Sequence, residues 1–269
     1  MIRAIGDPAA RFAEDHLRLL RAVRFAALLE FEIEPGTRAA IRGHSAEITK
    51  VAAERIRDEL TKIPTEPNPR RGLELLDELT LLEQILPEIK ALQGVEQPPD
   101  FHPEGDVWTH TLIMLDGLIK PATTLAWGVL LHDVAKPGTY EKTDRIRFNG
   151  HAELGAKMSV RILNRLRFPT HTIERVRDLV AQHLKFIELH RLDSESSHRK
   201  METYNFCKAE LERLPPEVLR PARLLTGADL IEMGIPEGPK IGQILRQIED
   251  AQLEGAITTD AEARALARR

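Results

Sequence analysis

The sequence has few of the residues that mark secreted, membrane-bound or β-rich proteins. Its 269 residues include one cysteine, Cys207, which excludes an internal disulfide framework and suits a reducing cytoplasm. Aromatic residues make up only 4% of the chain, and no apolar run reaches the roughly 18 residues that a membrane span needs. The first residues also lack the apolar core of a signal peptide. We therefore expect a cytoplasmic protein with no membrane partner.

The charge balance gives no sign of a nucleic-acid partner. The formal net charge is -4, so any RNA-binding surface has to be a local patch. Apolar residues recur at helical spacing in almost every segment, beginning with 12–29, and the only plausible strand, 144–149, is too short to build a sheet. The class is therefore predicted to be all-α. Later helices are predicted at 107–119, 122–135, 151–166, 172–190, 198–213, 217–226 and 241–254.

Charged residues near the N-terminus follow helical spacing. Asp15 and Arg18 lie three residues apart, so they are predicted to be neighbours on one face of a helix, and Arg21 continues the same step. One interpretation is a solvated charged stripe, in which such a pair contributes a few tenths of a kcal/mol. The other uses the hydrogen-bond pattern, because a carboxylate beside a guanidinium matches the Watson–Crick edge of a base. The spacing alone leaves both open.

Histidines and aspartates recur in the middle of the chain. His132 and Asp133 close the apolar run "LAWGVLLHD", where a charged carboxylate is costly to bury unless it is paired or binds a cation. Neutral imidazoles and a carboxylate on separate helices can converge on a divalent ion. Single histidines can instead be core residues with backbone partners. Lys136 is a phosphate contact, a partner of Asp133 or a lysine at a helix C-terminus. This reasoning favours a metal site at His110, His132 and Asp133. The later residues His151, His183 and Asp193 complete an order that resembles the HD-domain pattern, and that resemblance implies all six as ligands.

The order His, His-Asp, His, His, Asp is that of HD-domain phosphohydrolases, and a wider resemblance covers nearly the whole chain. "RAIGDPAARFAEDHLRLLRAVRFAALLEFEIEPGTRAAI" resembles the neck of bacterial tRNA nucleotidyltransferases of the poly(A) polymerase type, the CCA-adding enzymes. "GLELLDELTLLEQILPEI", "FHPEGDVWTHTLIML" and "LLTGADLIEMG" resemble the body and tail of the same family. The resemblance implies that Glu14, Asp15, Arg18 and Arg21 form the nucleotide-recognition motif, in which Asp15 and Arg18 read CTP or ATP.

The resemblance also implies an elongated helical array of three parts. These are a neck over 1–93, an HD-type domain over 94–213 and a tail over 214–269 that contacts the tRNA acceptor arm. In the tail, Gly238 and Gly242 allow a close backbone approach, and Lys240 opens a helix whose N-terminus favours phosphate. An ordinary loop that caps a helix is the alternative for this segment.

Two departures from the family pattern bear on activity. Two-metal nucleotidyl transfer needs paired carboxylates, and no Gly-Ser followed by Asp-x-Asp occurs in the sequence. We therefore expect no nucleotide addition by this chain alone, with a separately encoded head as a candidate partner. The segment between His183 and Asp193 is also shorter than in related proteins. If one helix continues through it, the two residues lie about 15 Å apart and cannot share an ion.

Three functions remain open. The first is a tRNA 3′-end processing protein that supplies nucleotide recognition and tRNA binding. The second is a free-standing phosphohydrolase with His132, Asp133 and Lys136 as catalytic residues and Mg²⁺, Mn²⁺, Ni²⁺ or Co²⁺ as cofactor. The third is a non-catalytic RNA-binding scaffold whose HD pocket has degenerated.

Overall fold

The fold is known from a computed structural model, which describes residues 1–99, 102–183, 192, 205, 208–209, 223–236, 238–253, 257 and 259–268. The chain divides into two compact units, residues 1–204 and 205–269. Across the described residues, β-structure is limited to a short hairpin and an isolated bridge between Ile2 and Ile33. The prediction of an all-α class is confirmed. No described helix is long and apolar enough to cross a membrane.

Seven helices form the first part of the larger unit. Their apolar faces meet in a continuous core that includes Leu19, Leu20, Leu73 and Leu76, all completely buried. The helices are α1 (Pro8–Glu14), α2 (Arg18–Leu28), α3 (Pro35–His44), α4 (Ala53–Thr65), α5 (Pro69–Glu78), α6 (Leu82–Ile85) and α7 (Pro87–Lys90), with a 3₁₀ helix at Ser45–Lys50.

The single front helix predicted over 12–29 is wrong, because the chain breaks between α1 and α2. Asp15 is extended, with φ of -151° and ψ of 101°, and ends α1. Its side chain accepts a hydrogen bond from the Leu17 N–H at 3.2 Å. A short acidic side chain that bonds to the nearby backbone competes with the helix at this point. Asp15 and Arg18 therefore do not share one helix face.

Over residues 102–183, which the structure describes, the second part of the larger unit contains four α-helices, a 3₁₀ helix and a hairpin. Helix α9 is buried on all sides, and its Gly128 allows close packing, since an added Cβ would lie 3.1 Å from Leu179 of α11. Gly155 of α10 is similarly tight, at 3.2 Å from Val180. The elements are α8 (Val107–Asp116), α9 (Thr123–Leu131), a 3₁₀ helix (Lys136–Thr139), β1 (Glu141–Lys142), β2 (Ile146–Arg147), α10 (His151–Arg165) and α11 (Thr170–Ala181).

Two helix boundaries differ from the prediction in ways that matter for the site. Helix α9 ends at Leu131, so His132 and Asp133 lie in the turn that follows rather than inside a helix. Helix α11 ends at Ala181, before His183, so the expected continuous helix past His183 is wrong. His183 and Asp193 are therefore not separated by 15 Å along one helix, as a continuous helix would require. Asp193 itself lies outside the described residues.

The smaller unit has its own apolar cluster. Helices α12 (Gly227–Glu232), α13 (Pro239–Leu253) and α14 (Asp260–Ala267) contribute to it. Leu225, Leu230, Ile248 and Ala263 are among its buried residues. The helix predicted over 217–226 is wrong over its described part, since 223–226 precede α12 and Thr226 caps that helix.

Candidate metal centre

Five of the six predicted metal ligands converge in the larger unit. His110 lies on α8, His132 and Asp133 follow α9, His151 opens α10 and His183 follows α11. The ligand atoms of His110, His132 and Asp133 lie within 4.8 Å of one another, as do those of Asp133, His151 and His183. We call these five residues the His–Asp cluster. Asp133 belongs to both groups and joins them.

Local backbone contacts fix the orientation of three of the imidazoles. Nδ1 of His132, His151 and His183 lies 2.7, 2.7 and 2.9 Å from the carbonyl oxygen three residues earlier. A carbonyl only accepts hydrogen bonds, so each Nδ1 carries a proton and each Nε2 is the nitrogen turned away from that backbone. In His110, Nδ1 lies 2.7 Å from Oε1 of Glu104. A metal-binding histidine has this arrangement, with one nitrogen bonded to an oxygen and the other free to ligate.

The inward-facing atoms of the cluster are only partly paired. Nε2 of His132 and Nζ of Lys136 share Oδ2 of Asp133, at 3.0 and 2.7 Å. Oδ1 of Asp133 is buried without a hydrogen-bond partner among the described residues, and Nε2 of His151 lies 3.7 Å from it. Nε2 of His151 and Nε2 of His183 lie only 3.4 Å apart. Two lone pairs at that distance repel each other unless a cation or a proton lies between them. The donor set therefore fits a divalent cation.

Burial sets the protonation state of His183. Desolvation disfavours the imidazolium form, and nearby His132 adds to it, so the pKa of His183 is lowered to about 4. The side chain is neutral at physiological pH and available as a ligand.

Asp133 is ionised although it is only 2% exposed. Burial by itself would raise the pKa of this carboxyl, but His132 and Lys136 outweigh it and hold the pKa well below its usual range. Nζ of Lys136 lies 2.7 Å from Oδ2 of Asp133 and donates to Oε1 of Gln97 at 2.6 Å. Of the three placements open to Lys136, the structure shows the one beside Asp133.

Three residues near the cluster, Gln97, His102 and Glu104, were not among the predicted site residues. Oε1 of Glu104 lies between Nδ1 of His110 and Nδ1 of His102, at 2.7 and 2.9 Å. Gln97 is buried against Lys136. The sequence feature that could have identified two of them is the spacing His102-x-Glu104. In the structure, His102, Glu104 and His110 form a third group whose ligand atoms lie within 4.8 Å of one another. Hydrogen bonds to His102 and His110 lower the pKa of Glu104 despite its burial.

The predicted nucleotide-recognition residues lie on the first part of the larger unit, and each is paired with another charged residue. Asp15 contacts Arg55 at 3.1 Å, Arg18 contacts Glu14 at 2.6 Å, and Arg21 contacts the buried Glu59 at 3.4 Å. A cleft of about 200 Å³ borders Arg18. Burial opposes ionisation of Asp15, but its bonds with the Leu17 N–H and Arg55 lower its pKa.

In the smaller unit, the predicted RNA-binding residues lie at the start of α13. Gly238 has φ of +152°, a conformation that favours glycine, and directly precedes Pro239 at the helix start. Lys240 is exposed in the first turn, and Gly242 follows on the same helix. The predicted helix is confirmed as α13, and the RNA contact stays a prediction.

Sequence comparison identifies two family segments. Residues 30–93 match the family described as "Probable RNA and SrmB- binding site of polymerase A", and residues 107–234 match the HD domain. The A-adding tRNA nucleotidyltransferase of Deinococcus radiodurans is 32% identical over 95% of this chain and 68% of its own length. The chain belongs to the tRNA nucleotidyltransferase family.

Further comparisons show the extent of this membership. The CC-adding tRNA nucleotidyltransferase of Thermus thermophilus is 33% identical to this chain. The alignment covers 94% of this chain and 66% of the Thermus protein. The chain thus spans about two thirds of the length of both relatives. The alignment with the Deinococcus protein extends over 299 positions, more than this chain contains, so that relative has residues with no counterpart here. The fold resembles that of the Bacillus stearothermophilus CCA-adding enzyme, with a TM-score of 0.56 and 21% identity over 100% of this chain and 65% of that one.

Proposed function

We propose that this chain is an RNA 3′-end processing protein whose HD-type domain is a metal-dependent phosphohydrolase that acts on phosphate esters at RNA ends, including 2′,3′-cyclic phosphates. The observation that carries the proposal is the convergence of four imidazoles and one ionised carboxylate at the His–Asp cluster. Membership of the tRNA nucleotidyltransferase family supports RNA as the substrate class.

His110, His132, Asp133, His151 and His183 are the residues that would hold the ion, and Asp193 stays a predicted sixth ligand. When bound, a divalent ion supplies Lewis-acid chemistry and lowers the pKa of a coordinated water. Imidazole-rich sites suit Ni²⁺ and Co²⁺, whereas Mg²⁺ prefers oxygen ligands. Among the four predicted metals we therefore expect Ni²⁺ or Co²⁺ to support more activity than Mg²⁺ or Mn²⁺.

Other side chains assist without serving as ligands. Lys136 holds a buried positive charge 2.7 Å from Asp133 and can face a phosphate group that enters the site. Its bond to Gln97 fixes the position of the ammonium group. Glu104 accepts from Nδ1 of His110 and so directs Nε2 of that ring towards Asp133 and His132.

The test is hydrolysis of 2′,3′-cyclic AMP by the purified chain with Mn²⁺, Ni²⁺, Co²⁺ or Mg²⁺ added. His132→Ala and Asp133→Ala should each lower kcat at least 100-fold, because each removes a ligand or exposes an unpaired buried charge. His171→Ala changes an exposed histidine on α11 and should keep full activity. If the chain binds metal but hydrolyses nothing, the phosphohydrolase is excluded and a non-catalytic scaffold remains.

Nucleotide recognition and tRNA binding form the second candidate function. The observation that favours it is the cleft beside Arg18, whose lining includes Thr37 of the segment that matches an RNA-binding family. Arg18→Ala should weaken ATP or CTP binding to the chain, whereas Arg42→Ala, at an exposed position of α3, should not. Equal binding of ATP or CTP by the unchanged chain, Arg18→Ala and Arg42→Ala would contradict this second function. A separately encoded head and the absence of nucleotide addition by this chain stay predictions.

A further inference from the structure

A cleft of about 450 Å³ lies beside the His–Asp cluster and has no role in the function proposed above. Two of its lining residues are chain neighbours of residues in the cluster's surroundings: Glu96 precedes Gln97, and Pro137 follows Lys136. Gln97 and Lys136 are bonded to each other, and Lys136 contacts Asp133. The cleft is lined by Gly94, Val95, Glu96, Pro137, Tyr140 and Lys142. Its volume falls within the range of small-molecule sites.

Aromatic rings connect the cleft to the cluster. The ring of Tyr140 packs against Phe148 at 5.9 Å, and Phe148 packs against His151 at 6.5 Å. The ammonium group of Lys136 lies 5.1 Å from the centre of the Phe148 ring. The chain has only two tyrosines, and one of them, Tyr140, lines this cleft. Tyrosine offers a flat apolar surface on which a base can stack.

Glu96 and Lys142, which line the cleft, form an ion pair that the polar groups of a ligand can displace. Nζ of Lys142 lies 2.7 Å from Oε2 of Glu96, and the hydroxyl of Tyr140 donates to the same oxygen at 3.4 Å. Both side chains of the ion pair are more than half exposed, so the pair contributes little to stability. Lys142 also lowers the pKa of Glu96, which is ionised and acts as an acceptor at neutral pH.

We propose that this cleft binds the nucleoside of the RNA end whose phosphate reaches the His–Asp cluster, with the base stacked on Tyr140 and its polar edge or its ribose hydroxyls on Glu96 and Lys142. The inference rests on the proposed phosphohydrolase, because it names the substrate-binding part of that site. It makes Tyr140 a residue that selects nucleotides over phosphate esters without a base.

The first test measures binding rather than turnover. Adenosine 3′-monophosphate is the probe, with ribose 5-phosphate as a competitor that has no base, and EDTA is present so that no metal contributes. Tyr140→Ala should weaken adenosine 3′-monophosphate binding by roughly 5- to 150-fold, the loss expected when one base–aromatic stack is removed. Tyr140→Phe keeps the ring and should bind like the unchanged chain.

Lys157→Ala, at an exposed position of α10, is the control and should not change binding. The proposal is overturned if the unchanged chain prefers ribose 5-phosphate, or if Tyr140→Ala binds as well as Tyr140→Phe while its circular dichroism is unaltered. A fold lost in Tyr140→Ala is identified by the same spectrum, and Glu96→Ala, which should also weaken binding, then provides the test.

The second test separates this inference from the proposed function. Hydrolysis of 2′,3′-cyclic AMP is compared with hydrolysis of glycerol 1,2-cyclic phosphate, which has the reacting group but no base. We expect a higher kcat/KM for the nucleotide and a smaller ratio between the two substrates in Tyr140→Ala. Equal kcat/KM values sink the cleft inference and leave the phosphohydrolase intact. Binding that depends on Tyr140 without hydrolysis of either substrate supports the nucleoside cleft and sinks the phosphohydrolase.

Discussion

The His–Asp cluster and the neck motif place charged side chains in opposite environments. Asp133 is 2% exposed, its Oδ2 is shared by the buried Lys136 and His132, and its Oδ1 has no hydrogen-bond partner among the described residues. Asp15 is 25% exposed at its side chain and is paired with the exposed Arg55. A buried carboxylate with one oxygen left unpartnered among histidine rings fits a cation ligand. Paired charges at a surface are already satisfied, so they reveal a ligand only when that ligand displaces a partner.

The largest expected effect is stabilisation of the fold by metal, which should require Asp133 and not Asp15. Ni²⁺ or Mn²⁺ at 100 times its Kd should raise the free energy of unfolding of the chain by about 2.7 kcal/mol, since only the folded site binds it. Asp133→Asn should lose this increase, and Asp15→Asn should keep it. Urea denaturation with and without metal measures both. An increase that persists in Asp133→Asn would place the metal elsewhere.

A smaller effect is expected from the residue that orients one ligand. Glu104→Gln weakens the acceptor that holds Nδ1 of His110, and such changes typically lower metal affinity about 10- to 100-fold. Isothermal titration with Ni²⁺ gives the affinity. Glu83→Gln, on α6 and exposed, is the matched control with no expected change. Unchanged affinity in Glu104→Gln would show that the histidine is held by its packing alone.

Acid should destabilise the metal-free cluster through His183. Its pKa is about 4 in the folded chain and 6.5 in the unfolded reference, so the unfolded state binds more protons between these values. The stabilisation is present above pH 6.5 and is lost as the pH falls towards 4. From pH 7.5 to pH 5 the expected loss is up to about 2 kcal/mol, from the linkage of the two pKa values. His183→Asn should reduce this pH dependence, and urea denaturation at both pH values tests it.

The smallest effect is expected in the neck. Arg55→Ala breaks the exposed pair with Asp15 and should cost less than about 1 kcal/mol of folding free energy, because solvent screens both charges. If urea denaturation showed that Arg55→Ala loses several kcal/mol of folding free energy, the contrast would be wrong, because the neck ion pairs would then be major contributors to stability.

The helical class and the pairing of His110 with His132 and Asp133 followed from residue types and spacing, whereas His151 and His183 were added by the resemblance to HD domains. Local backbone competition was harder to read. The apolar period continues through Phe12, Leu17 and Leu20, so nothing in it reveals that the Asp15 side chain bonds to the backbone and breaks the helix. Helix α9 likewise ends inside an apolar run, which places His132 in a turn.

The supporting residues of the cluster were missed for a different reason. Glu104 and Gln97 lie in a loop, where no periodicity relates a residue to a face. Their importance comes from contacts with His110 and Lys136, which are formed only when distant segments pack together. The Tyr140 side of the cleft depends in the same way on a hairpin whose strands are two residues long.

The bond from Nδ1 to the carbonyl three residues earlier has a consequence for how such a site can change over generations. In His132, His151 and His183 each ring takes its direction from its own short stretch of backbone, not from the other ligands. A substitution that removes one of these rings leaves the backbone bonds that orient the other two unchanged. The cluster can therefore exchange ligands one at a time, altering which metal it prefers, without a simultaneous change elsewhere in the gene.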